Sequence, residues 1–110
     1  MKKLVALLFL VPGLAMAQKE IKPNLSKAES AWKSNKLDEA KAIIDVSVAS
    51  QEFMVDAKKG GPSKNAAKAW YLKGIIYAAL DTTKNAKFQA LSTNAFDEAK
   101  AAFEKSKEID

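Results

Sequence analysis

The chain contains two copies of nearly the same segment, and this repetition limits the folds available to it. Residues 35–45 read NKLDEAKAIID and residues 94–104 read NAFDEAKAAFE, with six identities in the first eight positions. In both copies small and apolar residues recur every three to four positions, which is the period of an α-helix. A helix that is apolar on one side buries that side against another element, so a repeated helix predicts a repeated packing unit.

The first two predicted helices follow one another with a short break between them. Residues 24–34 carry small and apolar side chains at helical intervals, and Ser26 and Glu29 have the spacing of a capping box near the helix start. Asn35 is the expected N-cap of the second helix, because an Asn side chain can accept hydrogen bonds from the first free backbone amides. This helix is expected to end between residues 49 and 53.

The other two predicted helices are separated from the first pair, and from each other, by polar segments. A Gly-Gly-Pro run within residues 54–63 requires a loop. Residues 64–80, with Ser63 as the expected cap, are apolar nearly all the way round, which predicts a helix covered on more than one side. Residues 81–94 are polar, and residues 95–109 contain the second copy of the repeated helix.

No segment has the alternation of apolar and polar residues that a half-buried strand requires. The one candidate, VSVAS at residues 46–50, continues the apolar stripe of the second predicted helix. The predicted fold class is therefore all-α.

Six residues of the second helix pair fall on the positions of a known repeat. Trp70, Gly74 and Tyr77 lie on the third predicted helix, and Phe96, Ala99 and Phe103 lie on the fourth. They resemble the signature of the tetratricopeptide repeat (TPR), whose first helix carries Trp, Gly and Tyr and whose second carries Ala and an aromatic residue. The equivalent places in the first pair hold smaller or aliphatic residues, namely Ala28, Ala31, Ala40 and Ile44.

The TPR resemblance implies two antiparallel helical hairpins stacked as an α-solenoid fragment. Hairpin one would span about residues 24–53 and hairpin two about residues 64–110. Long insertions separate the helices of the second hairpin and the two repeats, and these insertions are expected to be loops. Within hairpin two, Gly74 is expected to allow a close approach of the helices, with Ala99 facing it. Lys73 departs from the family pattern, which has Leu at that place.

The first 17 residues, MKKLVALLFLVPGLAMA, have the layout of a secretory signal peptide. Two lysines precede the apolar run of residues 4–11, and Ala15 and Ala17 are small residues at the positions that signal peptidase reads. The run is too short for a membrane span, which needs about 20 residues. We expect cleavage before Gln18, one domain over residues 18–110 with no membrane span, and export to the periplasm or cell envelope.

The composition excludes several kinds of catalysis. The chain has no histidine and no cysteine, which excludes Ser-His-Asp and Cys-His catalysis, most zinc sites and the usual haem ligands. The net charge is +5 and every basic residue is a lysine, whereas nucleic-acid recognition usually depends on arginine. The carboxylate pairs at residues 38–39 and 97–98 lie in first helical turns, where they suit the helix dipole. We therefore predict a protein that is not an enzyme and has no cofactor, no metal site and no nucleic-acid partner.

The TPR resemblance also implies a binding surface. In that family the first helix of each hairpin lines a concave groove that holds a protein or peptide segment. The corresponding residues of this chain are Lys22, Leu25, Glu29, Trp32 and Lys33 in the first repeat, and Lys68, Tyr71, Ile75 and Ala78 in the second. Trp32 has two interpretations, an anchor for the partner or a residue packed against the second hairpin.

These features predict a non-catalytic interaction or scaffold module of the bacterial cell envelope. Two alternatives stay open, namely a subunit that binds glycans or cell-wall fragments, and the N-terminal part of a longer enzyme or sensor. Paired helices joined by long loops also resemble exported TPR proteins of the Bacteroidetes type.

The last predicted helix has an apolar side that no later segment covers, formed by Ala102, Phe103 and Ile109. Repeat arrays usually need about three units, because each unit buries its face against the next. Two interpretations follow. The chain is the N-terminal part of a longer array, or it associates with itself through its C-terminal helix.

Overall fold

A computed structural model describes residues 21–109, and within this range every regular element is helical. The proposed signal peptide, residues 1–17, lies outside the described residues. In chain order the helices are α1 (Leu25–Lys33), α2 (Leu37–Ala49), α3 (Gln51–Met54), α4 (Ala66–Thr82), α5 (Ala86–Gln89) and α6 (Ala95–Ile109). The only extended pairing in this range is an isolated bridge between Val55 and Pro62. The predicted all-α class is confirmed.

Helices α1 and α2 are antiparallel and joined by a tight turn. The start of α1 lies beside the end of α2, where the backbone amide of Asn24 donates to Ser47 Oγ at 3.1 Å. Asn24 also caps α1, since its Oδ1 accepts from the amide of Lys27 at 3.0 Å. The prediction that Ser26 starts a capping box is wrong, because Ser26 already lies inside the helix.

The turn between α1 and α2 differs from the prediction in one residue. Asn35 is not the N-cap of α2 but adopts a left-handed conformation with φ of +59°, which Asn tolerates better than most residues. Lys36 is the N-cap and makes no side-chain capping bond. Asp38 and Glu39 lie in the first turn of α2, where negative charge suits the helix dipole.

The end of α2 is set by Ser50. Its extended backbone conformation (ψ of 111°) stops the helix, and its Oγ accepts from the amide of Phe53 to start the single turn α3. The VSVAS segment is therefore helical up to Ala49, as predicted. Ser63 does not cap α4 directly, because that helix begins three residues later at Ala66. Ser63 instead accepts from the amide of Asn65 and donates to the carbonyl of Phe53.

Helices α4 and α6 are antiparallel and make the most extensive contact between any two elements of the described range. The end of α6 lies beside the start of α4, because Ser106 Oγ donates to the carbonyl of Ala67 at 2.8 Å. Gly74 marks a close approach, but the residue over it is Phe103 rather than the predicted Ala99. A Cβ built on Gly74 would overlap the Phe103 ring. The aromatic ring, not the small side chain, occupies the space that glycine leaves.

Helix α4 also packs across α1 and α2, so it is covered on two sides. Its inner residues Leu72, Ile76 and Leu80 share one core cluster with Ile44 of α2 and Ala28 of α1. This arrangement explains why α4 is apolar nearly all the way round its axis. Among the described helices, none has the length and apolarity needed to cross a membrane.

The segments predicted as loops also contribute to the interior. Phe88, on the short helix α5, is buried in the main core cluster, and Leu91 packs against it. Met54, at the end of α3, is buried in a second cluster with Ala66 and Ala69, which Trp70 partly covers. The inserted segments therefore cover the ends of the helix pairs, and each of them buries at least one side chain in a core cluster.

Candidate partner-binding surface

The five residues predicted for the first repeat do not form one open surface. Leu25 and Trp32 are half-buried and pack against the core cluster. Lys22 and Lys33 are exposed, and Lys33 forms an ion pair of 3.1 Å with Glu29 one turn away on α1. Most of the Trp32 side chain packs against the core cluster, which agrees with the second interpretation, and the rest of it is open to solvent.

The four residues predicted for the second repeat follow one side of α4. Lys68 and Tyr71 are exposed, with Tyr71 at 54% of its full exposure, and Ile75 and Ala78 are half-buried. The ring of Tyr71 lies against that of Phe103, with centroids 5.6 Å apart and planes tilted by 55°. This side of α4 therefore continues onto α6.

An apolar depression lies between α4 and α6 next to these residues. Its volume is about 370 Å³, and its lining is Ala78, Asp81, Thr82, Phe96, Ala99, Lys100 and Phe103. Phe96 is 63% exposed, which makes it the most exposed large apolar side chain of the described residues. The predicted surface included Ala78 but not Phe96. Phe96 corresponds to Leu37 in the repeated segment, and a motif position of this kind predicts a residue that packs in the core. The two positions differ in burial, since Leu37 is 1% exposed and Phe96 is 63% exposed.

A polar contact joins α2 to α4 at the rear of this surface. The hydroxyl of Tyr77 lies 2.7 and 2.9 Å from the two carboxylate oxygens of Asp45 and donates to that carboxylate. Lys41 pairs with Asp45 at 2.9 Å and lies over the Tyr77 ring at 5.7 Å. Burial is the main cause that raises the pKa of Tyr77 above its ordinary value of 10.0, and the hydrogen bond and negative charge of Asp45 raise it further.

Lys73, the departure from the TPR pattern, has its own setting. Its ammonium group lies 3.4 Å from Glu98 on α6 and within 5.3 Å of the centroids of the Trp70 and Tyr77 rings. A lysine in this position gains a carboxylate and two aromatic faces, and its aliphatic stem covers apolar surface. It therefore links α4 to α6 in place of the leucine that the pattern has.

The described residues contain no group of three or more carboxylates close enough to hold a metal ion. The polar side chains around the depression are the carboxylate of Asp81, the hydroxyl of Thr82 and the ammonium group of Lys100. Comparison of the chain with protein family models, with curated proteins and with solved structures finds no match.

Proposed function

We propose that the protein is a non-catalytic interaction module, with a TPR-like stacking of two helical hairpins, exported to the bacterial cell envelope. The observation that carries the proposal is the row of residues along α4. Lys68, Tyr71, Ile75 and Ala78 form one side of a helix whose other sides are packed, and Tyr71 is more than half exposed. Exposed aromatic residues on a rigid helix are typical anchors for protein partners.

The charge around this row indicates the type of partner segment. Lys68 is exposed one turn before Tyr71, and residues 18–110, with 16 lysines and 13 acidic residues, have a net charge of +3. An extended or helical segment that carries a carboxylate beside an apolar residue would match Lys68 at the edge and Tyr71 at the centre. The export proposal rests on the composition of residues 1–17, with two lysines, an apolar run and small residues before Gln18.

The test uses a photoreactive amino acid placed at position 68 of the exported protein in cells. We expect a discrete cross-linked partner at this position and a clear reduction when Tyr71→Ser is added, because the anchor is removed while the packed sides of α4 are retained. The same photoreactive residue at Gln51, which is exposed on α3, serves as the control position.

Equal cross-linking at positions 68 and 51, or no effect of Tyr71→Ser, would contradict the proposal. Calorimetric titration of the purified protein with cell-wall glycan fragments separates a glycan-binding subunit from a protein-binding module. Saturable heat with glycans and none with the cross-linked protein would favour the glycan alternative. Thermal unfolding of the Tyr71→Ser variant checks that the fold is retained.

A further inference from the structure

One end of the molecule brings together an end of each of the four long helices. Leu25 at the start of α1, Ala66 at the start of α4 and Ile109 at the end of α6 share one apolar cluster with Met54, which follows α2 in the chain. The two serine hydrogen bonds described above hold the helices of each pair in this register. This end, here called the loop end, consists of residues 21–28, 51–68 and 104–109.

The net positive charge of the described residues is concentrated at the loop end. This end holds eight lysines and four acidic residues, which gives a net charge of +4. Two of the lysines lie in each of residues 21–28, 58–59, 64–68 and 105–107, and all eight are exposed. In the rest of residues 21–109, seven lysines and seven acidic residues cancel. A merely solvated surface mixes both signs throughout, so this asymmetry indicates a negatively charged partner.

The lysines of the loop end are not neutralised within the described part of the chain. The three ion pairs of residues 21–109 use Lys33, Lys41 and Lys73, which all lie outside the loop end. The helix dipoles do not change the sign, because the starts of α1 and α4 are offset by the ends of α2 and α6. The positive potential at this end therefore comes from the lysine side chains alone.

The loop before α4 presents two of these lysines on a hydrogen-bonded turn. The amide of Asp56 donates to the carbonyl of Gly61, and the amide of Gly60 donates to the carbonyl of Asp56, both at 2.7 Å. The Asp56 carboxylate accepts from the amides of Lys58 and Lys59 at 2.9 and 3.1 Å. The acidic group is thus bound to the backbone of its own loop while both lysine side chains are exposed. An ordered turn also lowers the conformational entropy lost when these lysines contact a partner.

We propose that the loop end binds the anionic surface of a lipid membrane, through the phosphate groups of the lipids. The lysines come from four segments around this end, so a flat surface contacts them together, whereas one peptide segment reaches only a few of them. Lysine supplies a point charge without the planar fork of arginine, which suits an array of mobile phosphates better than one fixed carboxylate. Clusters of about four to eight basic residues are typical of binding to anionic lipids.

This proposal goes beyond the proposed function and does not rest on it. The axes of the long helices run away from the loop end, so binding here holds α4 upright on the membrane. The row formed by Tyr71, Ile75 and Ala78 along α4 then stays open to a protein partner. Lys68 belongs to both surfaces and is therefore left unchanged in the test.

The test measures co-sedimentation of the protein with vesicles. The protein is purified from cells after removal of residues 1–17, because their apolar run would bind lipid by itself. We expect saturable binding to vesicles of equal parts phosphatidylglycerol and phosphatidylcholine, and at least tenfold weaker binding to phosphatidylcholine alone. Added salt should weaken the binding, because it screens the lysines.

Two triple variants separate the loop end from the total charge. Each lysine near an anionic surface changes the binding constant by about fivefold. The combined variant Lys58→Gln, Lys59→Gln and Lys64→Gln should therefore bind at least about thirtyfold more weakly. The matched control is Lys36→Gln, Lys84→Gln and Lys87→Gln, which removes the same charge from exposed positions outside the loop end. We expect the control to lose no more than about threefold, because those lysines lie further from the lipid.

The orientation on the membrane is measured with fluorescent labels. The chain has no cysteine, so Ala57→Cys in the loop and Ser34→Cys in the turn between α1 and α2 each carry a single label. Both positions are exposed, and they are separated by the 13 residues of α2, a length of about 20 Å. Energy transfer to an acceptor on the lipid headgroups should be clearly stronger from position 57.

Four results would overturn the proposal. They are equal binding to both kinds of vesicle, equal losses in the two triple variants, equal energy transfer from the two labels, and tighter binding to soluble polyglutamate than to vesicles. The last would assign the loop end to an acidic protein. Inorganic phosphate should inhibit no more than chloride of equal ionic strength, and stronger inhibition would show a discrete phosphate site instead of a lipid surface. Matching circular dichroism melts confirm that all variants are folded.

Discussion

The hydroxyl of Tyr77 on α4 and the carboxylate of Asp45 on α2 form the hydrogen bond that joins the two helix pairs, with oxygen separations of 2.7 and 2.9 Å. Both residues also face Lys41, which pairs with Asp45 and lies over the tyrosine ring. The contact holds the Tyr77 side of α4 against α2.

Removal of this hydrogen bond should destabilise the protein measurably. Tyr77→Phe keeps the packing of the ring but leaves Asp45 with Lys41 alone, and we expect a loss of about 1–2 kcal/mol in the free energy of unfolding. Chemical denaturation of Tyr77→Phe, Asp45→Asn and the double variant gives the coupling energy between the two side chains. Additive effects of the two substitutions would contradict a direct interaction.

The raised pKa of Tyr77 predicts a loss of stability in alkali. In the folded chain the phenol stays protonated to higher pH than in the unfolded chain, whose pKa is close to 10.0. The stabilisation is complete below that pH and falls above it, by up to about 1.4 kcal/mol per pH unit, as the unfolded phenol ionises. Urea denaturation of wild type and Tyr77→Phe from pH 8 to pH 11 measures this slope. Every other ionisable group, the lysines included, is common to the two proteins, so the difference between their curves belongs to Tyr77. Parallel curves for the two proteins would show that Tyr77 does not cause it.

The contact between Gly74 and Phe103 predicts an unusual response to alanine. Ala is the better helix former by about 1 kcal/mol, yet Gly74→Ala should destabilise the protein by about 1–3 kcal/mol, because its methyl group meets the Phe103 ring. Gly61→Ala is the control, since no heavy atom outside its neighbours lies within 4 Å of a Cβ built there. Thermal denaturation compares the two. The effect of Gly74→Ala should become smaller in a Phe103→Leu background, and an unchanged effect would assign the cost to another contact.

The two equivalent serines should differ in their contribution to stability. Ser47 is fully buried, accepts from the amide of Asn24 and donates to the carbonyl of Ile43 at 2.8 Å. Ser47→Ala leaves that amide unpaired and should cost about 1–3 kcal/mol in unfolding free energy. Ser106 is half-buried and makes one such bond, so Ser106→Ala should cost about 0.5–1.5 kcal/mol. Urea denaturation ranks them, and the reverse order would show that burial is not what distinguishes the two positions.

Helix positions in this chain were predictable because helical periodicity and turn residues are local signals. The repeated NxxDEAKA segment located α2 and α6, and the apolar stretch located α4, within a few residues of their observed ends. The caps were less predictable. Ser26, Asn35 and Ser63 do not have their expected capping roles, because several polar residues stand near each helix start and the final backbone path decides which one reaches the free amides.

The sequence by itself therefore determined that the chain is all-α and which two segments repeat, since both depend on residues close together along the chain. Only the tertiary structure decided that Phe103 rather than Ala99 lies over Gly74, that Phe88 is buried, and that Phe96 is exposed where Leu37 is covered. These outcomes depend on the rotation of each helix about its axis and on which neighbour lies across it. A one-helix pattern carries no information about either, because the same apolar stripe can be buried by any surface that fits it.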